Sequence, residues 1–347
     1  MKGRLLASLC AGVLILSGCA SQWALKTEPV EAGMQWPPYP NKAKVTQVMT
    51  LTGFDETGNS FPTMLKALVF GKERNNIVQP VAVALGKDGR LAIADKGLQC
   101  VHLYLPSGQQ YEKIYKVKSE ELRSPVSVIF DDESRLYVSD SVLKRILIFG
   151  SDGKFLSSID GANSVGFKRP TGLAYNAAGK LLYAVDTLEN RIYAFDRSGN
   201  AVFSFGKRGS EKGQFNYPTH IFFSREGVLY VTDSMNFRVQ AFDAAGTFLF
   251  AFGQNGDGSG DFSMPKGVAS DADRVIYVVD SLFDNIQLFG QKGEFLLTIG
   301  GRGAGQGEFW LPSGIFIDDS DKMYVCDTFN QRLQIFQITS KFNGRNP

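Results

Sequence analysis

Six aspartates recur at nearly constant spacing in this chain: Asp95, Asp140, Asp186, Asp233, Asp280 and Asp327, separated by 45, 46, 47, 47 and 47 residues. Carboxylates repeated in this way could gather cations, because hard divalent ions take oxygen ligands. Their sameness argues for another role. A residue that recurs in every copy serves what the copies share, which is the backbone of the repeat. Arginine stands five residues later in four units, at Arg145, Arg191, Arg238 and Arg332. Each is expected to partner its aspartate across the turn or between units, as guanidinium and carboxylate do. Both sets are therefore expected to be structural, with no metal and no cofactor.

Residues that break the repeat are better candidates for specific chemistry. There are two histidines. His102 falls inside a strand pattern and is expected to be structural. His220 is less ordinary. Two residues after the proline that opens each unit stand Ala82, Ser127, Gly172, His220, Gly267 and Gly314, so a single imidazole replaces a small residue. One position earlier, Lys266 replaces Val81, Val126, Thr171, Thr219 and Ser313. His220 and Lys266 are expected to meet as a polar ligand site, or as a water-bridged pair that fills space. The other breaks are Lys96, where the remaining units have Ser or Thr after the aspartate, and Cys100 and Asn285, which occupy the arginine position. Asp257-Gly258-Ser259-Gly260-Asp261 has the acidic-glycine look of a calcium loop but lacks the ligand spacing of an EF-hand. Its counterparts Gly209–Gly213 and Gly303–Gly307 mark it as a connector between units. No catalytic residue is assigned.

The elements that position these residues follow from the units themselves. Each opens with a proline (Pro80, Pro125, Pro170, Pro218, Pro265, Pro312), preceded at three residues by Ile77, Leu122, Phe167, Phe215, Phe262 or Phe309. An apolar run follows, then a polar turn, then a second run such as Leu229-Tyr230-Val231-Thr232 that ends on the aspartate. β-Branched and aromatic content between turn signals reads as strand. A third strand carries an aromatic nine residues after the aspartate, at Tyr104, Phe149, Phe195, Phe242, Phe289 and Phe336. A fourth is clearest at Ala201–Phe205, Phe248–Phe252 and Phe295–Ile299. Four short antiparallel strands every ~45 residues describe the blade of an all-β propeller, here with six blades. The sixth unit lacks its own fourth strand, and Leu68-Val69-Phe70-Gly71 is the expected N-terminal replacement that closes the ring. Val45–Leu51 is a further strand candidate without an assigned partner.

These units resemble NHL repeats over about residues 63–340, best in Pro170-Thr171-Gly172-Leu173 … Asp186-Thr187-Leu188-Glu189-Asn190-Arg191-Ile192 and in Pro312-Ser313-Gly314-Ile315 … Asp327-Thr328-Phe329-Asn330-Gln331-Arg332-Leu333. The resemblance implies a propeller that serves as a binding module, a sensor domain, a nucleic-acid binder or an enzyme, without choosing among them. Lyases that resemble these repeats build zinc sites from several histidines, which this chain does not have. Lactonase and strictosidine-synthase-like propellers hold an axial metal with acidic residues, whereas Val, Thr, Lys, Ser and Gly follow the opening prolines here.

The N-terminus carries an address. Met1-Lys2-Gly3-Arg4 is basic, Leu5–Leu16 is apolar but too short to span a bilayer, and Leu16-Ser17-Gly18-Cys19 follows. This resembles the lipobox of bacterial lipoproteins, which implies residues 1–18 as a signal peptide and Cys19 as the lipidated residue; Ala20 and Ser21 point to the outer membrane. Residues 19–62, with Pro29, Pro37, Pro38 and Pro40, are expected to be an extended tether, and 341–347 a short tail. Loss of Lys2 and Arg4 leaves 37 − 2 = 35 basic against 35 acidic residues, which argues against nucleic acid as a partner. Cys100 and Cys326 are expected to be neighbours in the closed ring, as buried thiols or as a bridge.

The expected function is thus a monomeric, membrane-anchored envelope lipoprotein that binds a protein, glycan or other ligand, with exposed Tyr217 and Trp310 as anchors in the connecting loops. The alternative is a secreted metal-dependent hydrolase or lyase.

Overall fold

The computed structural model describes residues 22–31, 33–57 and 75–339. Among them the regular structure is β-strand with two short 3-10 turns. Five four-stranded antiparallel sheets follow one another along the chain, each in the order innermost to outermost strand. Blade 1 spans Pro80–Leu85 to Gln110–Ile114, blade 2 Pro125–Phe130 to Phe155–Ile159, and blade 3 Pro170–Asn176 to Ala201–Phe205. Blade 4 spans Pro218–Phe223 to Phe248–Phe252, and blade 5 Pro265–Ser270 to Phe295–Ile299. In each, the opening proline starts the innermost strand and the repeated aspartate ends the second, as the spacing predicts.

Blade 6 closes the ring. Its inner strands are Ile315–Ile317, Lys322–Asp327 and Arg332–Ile338, and the next strand outward is Val45–Glu56. Val45 pairs with Ile338 and Leu51 with Leu333, antiparallel. The expected closing strand, residues 68–71, lies outside the described residues, and the edge it was expected to cover is already occupied by Val45–Leu51. The physical reason is length and pattern: Val45–Glu56 buries Val45, Leu51 and Phe54 completely or nearly so, which a four-residue strand cannot match. The stretch expected as a tether is also corrected. Trp23–Glu28 and Gln35–Trp36 both pair with Val45–Glu56, so this segment is part of the blade 6 sheet.

The core lies between blades. The aromatic of each third strand is at most 6 % exposed. In blades 3 to 6 it packs against the phenylalanine that precedes the opening proline, with ring centroids 5.9, 5.6, 5.5 and 6.1 Å apart for Phe167–Phe195, Phe215–Phe242, Phe262–Phe289 and Phe309–Phe336. Each such ring contributes about 1.5–3 kcal/mol through burial, with more from edge and offset stacking.

Hydroxyls latch neighbouring blades at the inner rim. In blades 3 to 6 the residue after the repeated aspartate donates to the carbonyl of the next blade's opening proline: Thr187 to Pro218 (2.7 Å), Ser234 to Pro265 (2.9 Å), Ser281 to Pro312 (2.5 Å) and, across the closure, Thr328 to Pro80 (2.8 Å). In blade 2 Ser141 turns instead to Ser124 Oγ (3.0 Å), and blade 1 has Lys96 at this position.

Candidate functional site

The six aspartates are fully buried, and each ties its own turn to the segment that enters the blade. Asp140 accepts from the amides of Arg123, Ser124, Val142 and Leu143 at 2.7–3.0 Å. Asp280 accepts in the same way from Ser263, Met264, Leu282 and Phe283. Burial opposes ionisation of Asp95, but hydrogen bonds from His102 and from backbone amides outweigh it and hold the carboxyl below its usual range. At Asp233 and Asp327 burial wins and pushes the carboxyl up. Backbone amides supply most of the bonds to Asp95, Asp140, Asp186 and Asp280. At Asp233 and Asp327 one backbone amide is joined by Asn, Arg and Gln side chains. In either form the carboxylate braces the backbone.

Only two of the four arginines meet their aspartate. Arg238 Nε lies 2.9 Å from Asp233 and Arg332 Nε 2.8 Å from Asp327. Arg145 turns outward to Glu120 (2.6 Å), and Arg191 donates to Ser204 (3.0 Å). The expectation of four equivalent pairs is corrected: in blades 2 and 3 the neighbouring amides already satisfy the carboxylate.

His220 lines the axial channel, and Lys266 is the second residue of the innermost strand of blade 5, at the end where the innermost strands begin. The channel encloses about 180 Å³ and is lined by all six innermost strands, among them Val83, Val128, Leu173, Ile221, Val268 and Ile315. Among the described residues no carboxylate lines it. Small residues recur beside His220 because the inner strands touch backbone to backbone: a Cβ on Gly172 would come 2.7 Å from Thr219 O, and one on Gly314 2.6 Å from Val81 O. The His220 ring donates to or accepts from Thr219 Oγ1 at 3.1 Å. Burial, then the Lys266 cation, holds its imidazole down to about 3. Lys266 is itself lowered by burial and by Lys96. Two ammonium groups and a neutral imidazole thus share one mouth.

That mouth is surrounded by exposed apolar side chains. The turn after the repeated aspartate presents Leu98, Val142, Leu188, Met235, Leu282 and Phe329, one from each blade, all between 38 % and 56 % exposed. Tyr217 and Trp310 lie on the same face at 39 % and 45 % exposed, and Trp310 packs against Phe329 with ring centroids 5.7 Å apart. Tyr217 and Trp310 were legible as loop aromatics. The six-fold set was missed, although its position two or three residues after each aspartate was a signal in plain view. The opposite mouth was missed as well. There Tyr175 and Arg197 both reach Asp132, at 2.6 and 2.5 Å, and hold its carboxyl down to about 2.

His102 is structural, as expected. It is buried, stacks on Phe54 (5.4 Å) and bonds Tyr111 OH (2.8 Å). Cys100 and Cys326 are buried free thiols. Burial first, then the Asp95 carboxylate, pushes Cys100 up to about 12; burial pushes Cys326 up further. The connector holding Asp257–Asp261 is bridged at Asn255–Phe262, as its counterparts are at Arg208–Phe215 and Arg302–Phe309. Among the described residues no three His, Cys, Asp or Glu side chains gather where they could hold a metal ion. Cys19 lies outside the described residues.

A family model described as a 6-bladed beta-propeller matches residues 267–346, which correspond to blades 5 and 6. No curated protein matches the chain in sequence. Solved structures share the fold at low identity. A streptogramin B lyase is 13 % identical over 76 % of this chain and 85 % of its own, with a TM-score of 0.57. A gluconolactonase from Xanthomonas campestris is 14 % identical over 79 % and 93 %, with a TM-score of 0.58. An auxiliary nutrient binding protein from Bacteroides thetaiotaomicron is 14 % identical over 76 % and 70 %, with a TM-score of 0.58. At such identities the likeness is one of fold, and function must be argued from the faces of this propeller.

Proposed function

We propose that this chain is an NHL-type propeller lipoprotein, anchored through Cys19 to the outer membrane, that binds another envelope protein with the face around the His220–Lys266 mouth. One observation carries this reading: every blade places an exposed apolar side chain at the same point of that face. Scattered surface apolar residues need no explanation, but a closed set around one mouth has the composition of a docking surface. Aromatic anchors at Tyr217 and Trp310 add the residue types that dominate binding energy. Nucleic acid is not the partner on this reading, since the mature chain is electrically balanced. The binding-protein relative is compatible with it, while the described residues that line the axial channel include no acidic set for a lactonase-like metal.

The test is site-specific photocrosslinking in intact envelopes. A photoreactive residue at Met235 should yield a discrete adduct, and the same probe at Asp132 on the opposite mouth should not. Adducts from Asp132 alone, or from neither face, would overturn the reading. Cys19→Ser should move the protein from the membrane to the soluble fraction; retention in the membrane would remove the lipid anchor from the proposal.

A further inference from the structure

Blade 5 lacks a cation that its two neighbours hold in the same place. In blade 4 the Arg238 guanidinium reaches Asp233 and also donates to the carbonyls of Glu211 (3.0 Å) and Gln214 (3.1 Å). In blade 6 Arg332 reaches Asp327 and donates to the carbonyls of Gly305 (2.6 Å) and Glu308 (3.0 Å). The corresponding residue of blade 5 is Asn285, which is too short to reach the connector.

The cradle itself is intact. Gln287 Nε2 donates to Asp261 O at 2.7 Å, as Gln240 does to Gln214 O (2.7 Å) and Gln334 to Glu308 O (2.6 Å). By this correspondence the carbonyls of Gly258 and Asp261 stand where the neighbouring blades' guanidinium groups find theirs. A cavity of about 260 Å³ remains, lined by Asp257, Gly258, Ser259, Phe283, Asn285 and Gln287 among others. Asn285 Oδ1 is buried there with no hydrogen-bond partner. Two further changes point the same way. Asp257 adds a carboxylate where the neighbouring blades have Ser210 and Ala304, and Phe283 replaces Asn236 and Asn330. Those asparagines donate to the carbonyls of Gly209 and Gly303, at 2.9 and 2.8 Å. Relative to its neighbours, the blade 5 pocket has lost the arginine and asparagine donors and gained a negative charge and an aromatic face.

We propose that this pocket receives the guanidinium group of an arginine side chain from a partner polypeptide. Planar, multiple N–H donors fit carbonyls that already bind such a group in blades 4 and 6, and guanidinium stacks on aromatic faces such as Phe283. A compact ammonium would leave acceptors unmet. Phe283, which lines the pocket, follows Leu282 in the turn that contributes to the docking face proposed above. Its chemical preference does not depend on that face, because free probes test it.

The experiment titrates the full chain with Nα-acetylarginine amide and, separately, Nα-acetyllysine amide, following the amides of Gly258, Ser259 and Gly260 by NMR. Saturable shifts with the arginine probe, about tenfold tighter than with the lysine probe, are expected. Asn285→Arg places the neighbouring blades' own guanidinium in the cavity and should abolish probe binding while raising Tm. Asp257→Ser, which leaves the fold untouched, should weaken binding and serves if Asn285→Arg misfolds. Equal response to both probes, unchanged binding in both variants, or shifts produced by calcium and not by arginine would overturn the proposal. Loss of probe binding in Asn285→Arg with retained crosslinking at Met235 would separate this pocket from the wider docking face.

Discussion

Gln47 Nε2 donates to Gln334 Oε1 across 2.8 Å, although 287 positions separate the two residues in the chain. The bond joins the strand that enters the propeller to the last strand of blade 6, and the same Gln334 oxygen accepts from the amide of Gly307. Closure is thus a buried, hydrogen-bonded contact between the two ends of the fold.

Closure should be costly to weaken. Leu51 is fully buried at this junction, whereas Val48 on the same strand is 45 % exposed. Leu51→Ala is expected to cost about 2–5 kcal/mol, and Val48→Ala within about 0.5 kcal/mol. Urea unfolding of the two variants measures this; equal costs would mean that Val45–Leu51 is not the clasp.

The two kinds of arginine should separate cleanly. Arg238→Ala removes the guanidinium from the Glu211 and Gln214 carbonyls and from the buried Asp233 carboxylate, which keeps Asn216, Asn236 and Gln240 as donors, for an expected loss of about 2 kcal/mol. Arg145 pairs with Glu120 in solvent, so Arg145→Ala should cost under about 1 kcal/mol. Chemical denaturation at low salt reads both, and a larger loss at Arg145 would reverse the assignment.

His220 predicts a slope in stability against pH. Its imidazole is held down to about 3 in the folded protein against 6.5 for the free group. Between these values the unfolded chain binds the extra proton, so stability falls as pH drops from about 6.5 toward 3. His220→Asn should lose less stability than the parent protein over that window, with little difference at pH 7. Parallel pH profiles for the two proteins would contradict it.

Thiol chemistry distinguishes burial from bridging. Native Cys100 and Cys326 should resist iodoacetamide at pH 8, because burial keeps both thiols protonated. In urea, without reductant, peptides holding Cys100 and Cys326 should both be alkylated. A linked Cys100–Cys326 peptide would show the bridge instead.

Much of the fold was legible because its signals are local. A proline that starts a strand, an aspartate that caps the next turn and an aromatic nine residues on need only neighbours in sequence, and all appear as the spacing predicts. The candidate site was only partly legible. His220 and Lys266 stood out against their counterparts, but the exposed turn residues looked ordinary until the blades placed them around one mouth. The arginines carried no local mark of which way each side chain turns.

The sequence alone determined the repeat, the blade and the number of blades, since period and turn chemistry act within some 45 residues. Only the tertiary structure decided that Val45–Leu51 is the closing strand, that two arginines and not four brace their aspartates, and that Asn285 faces an unfilled cradle. Each of these depends on which groups meet across blades or between the chain's two ends, where burial and the satisfaction of every polar atom choose among partners that local pattern leaves equal.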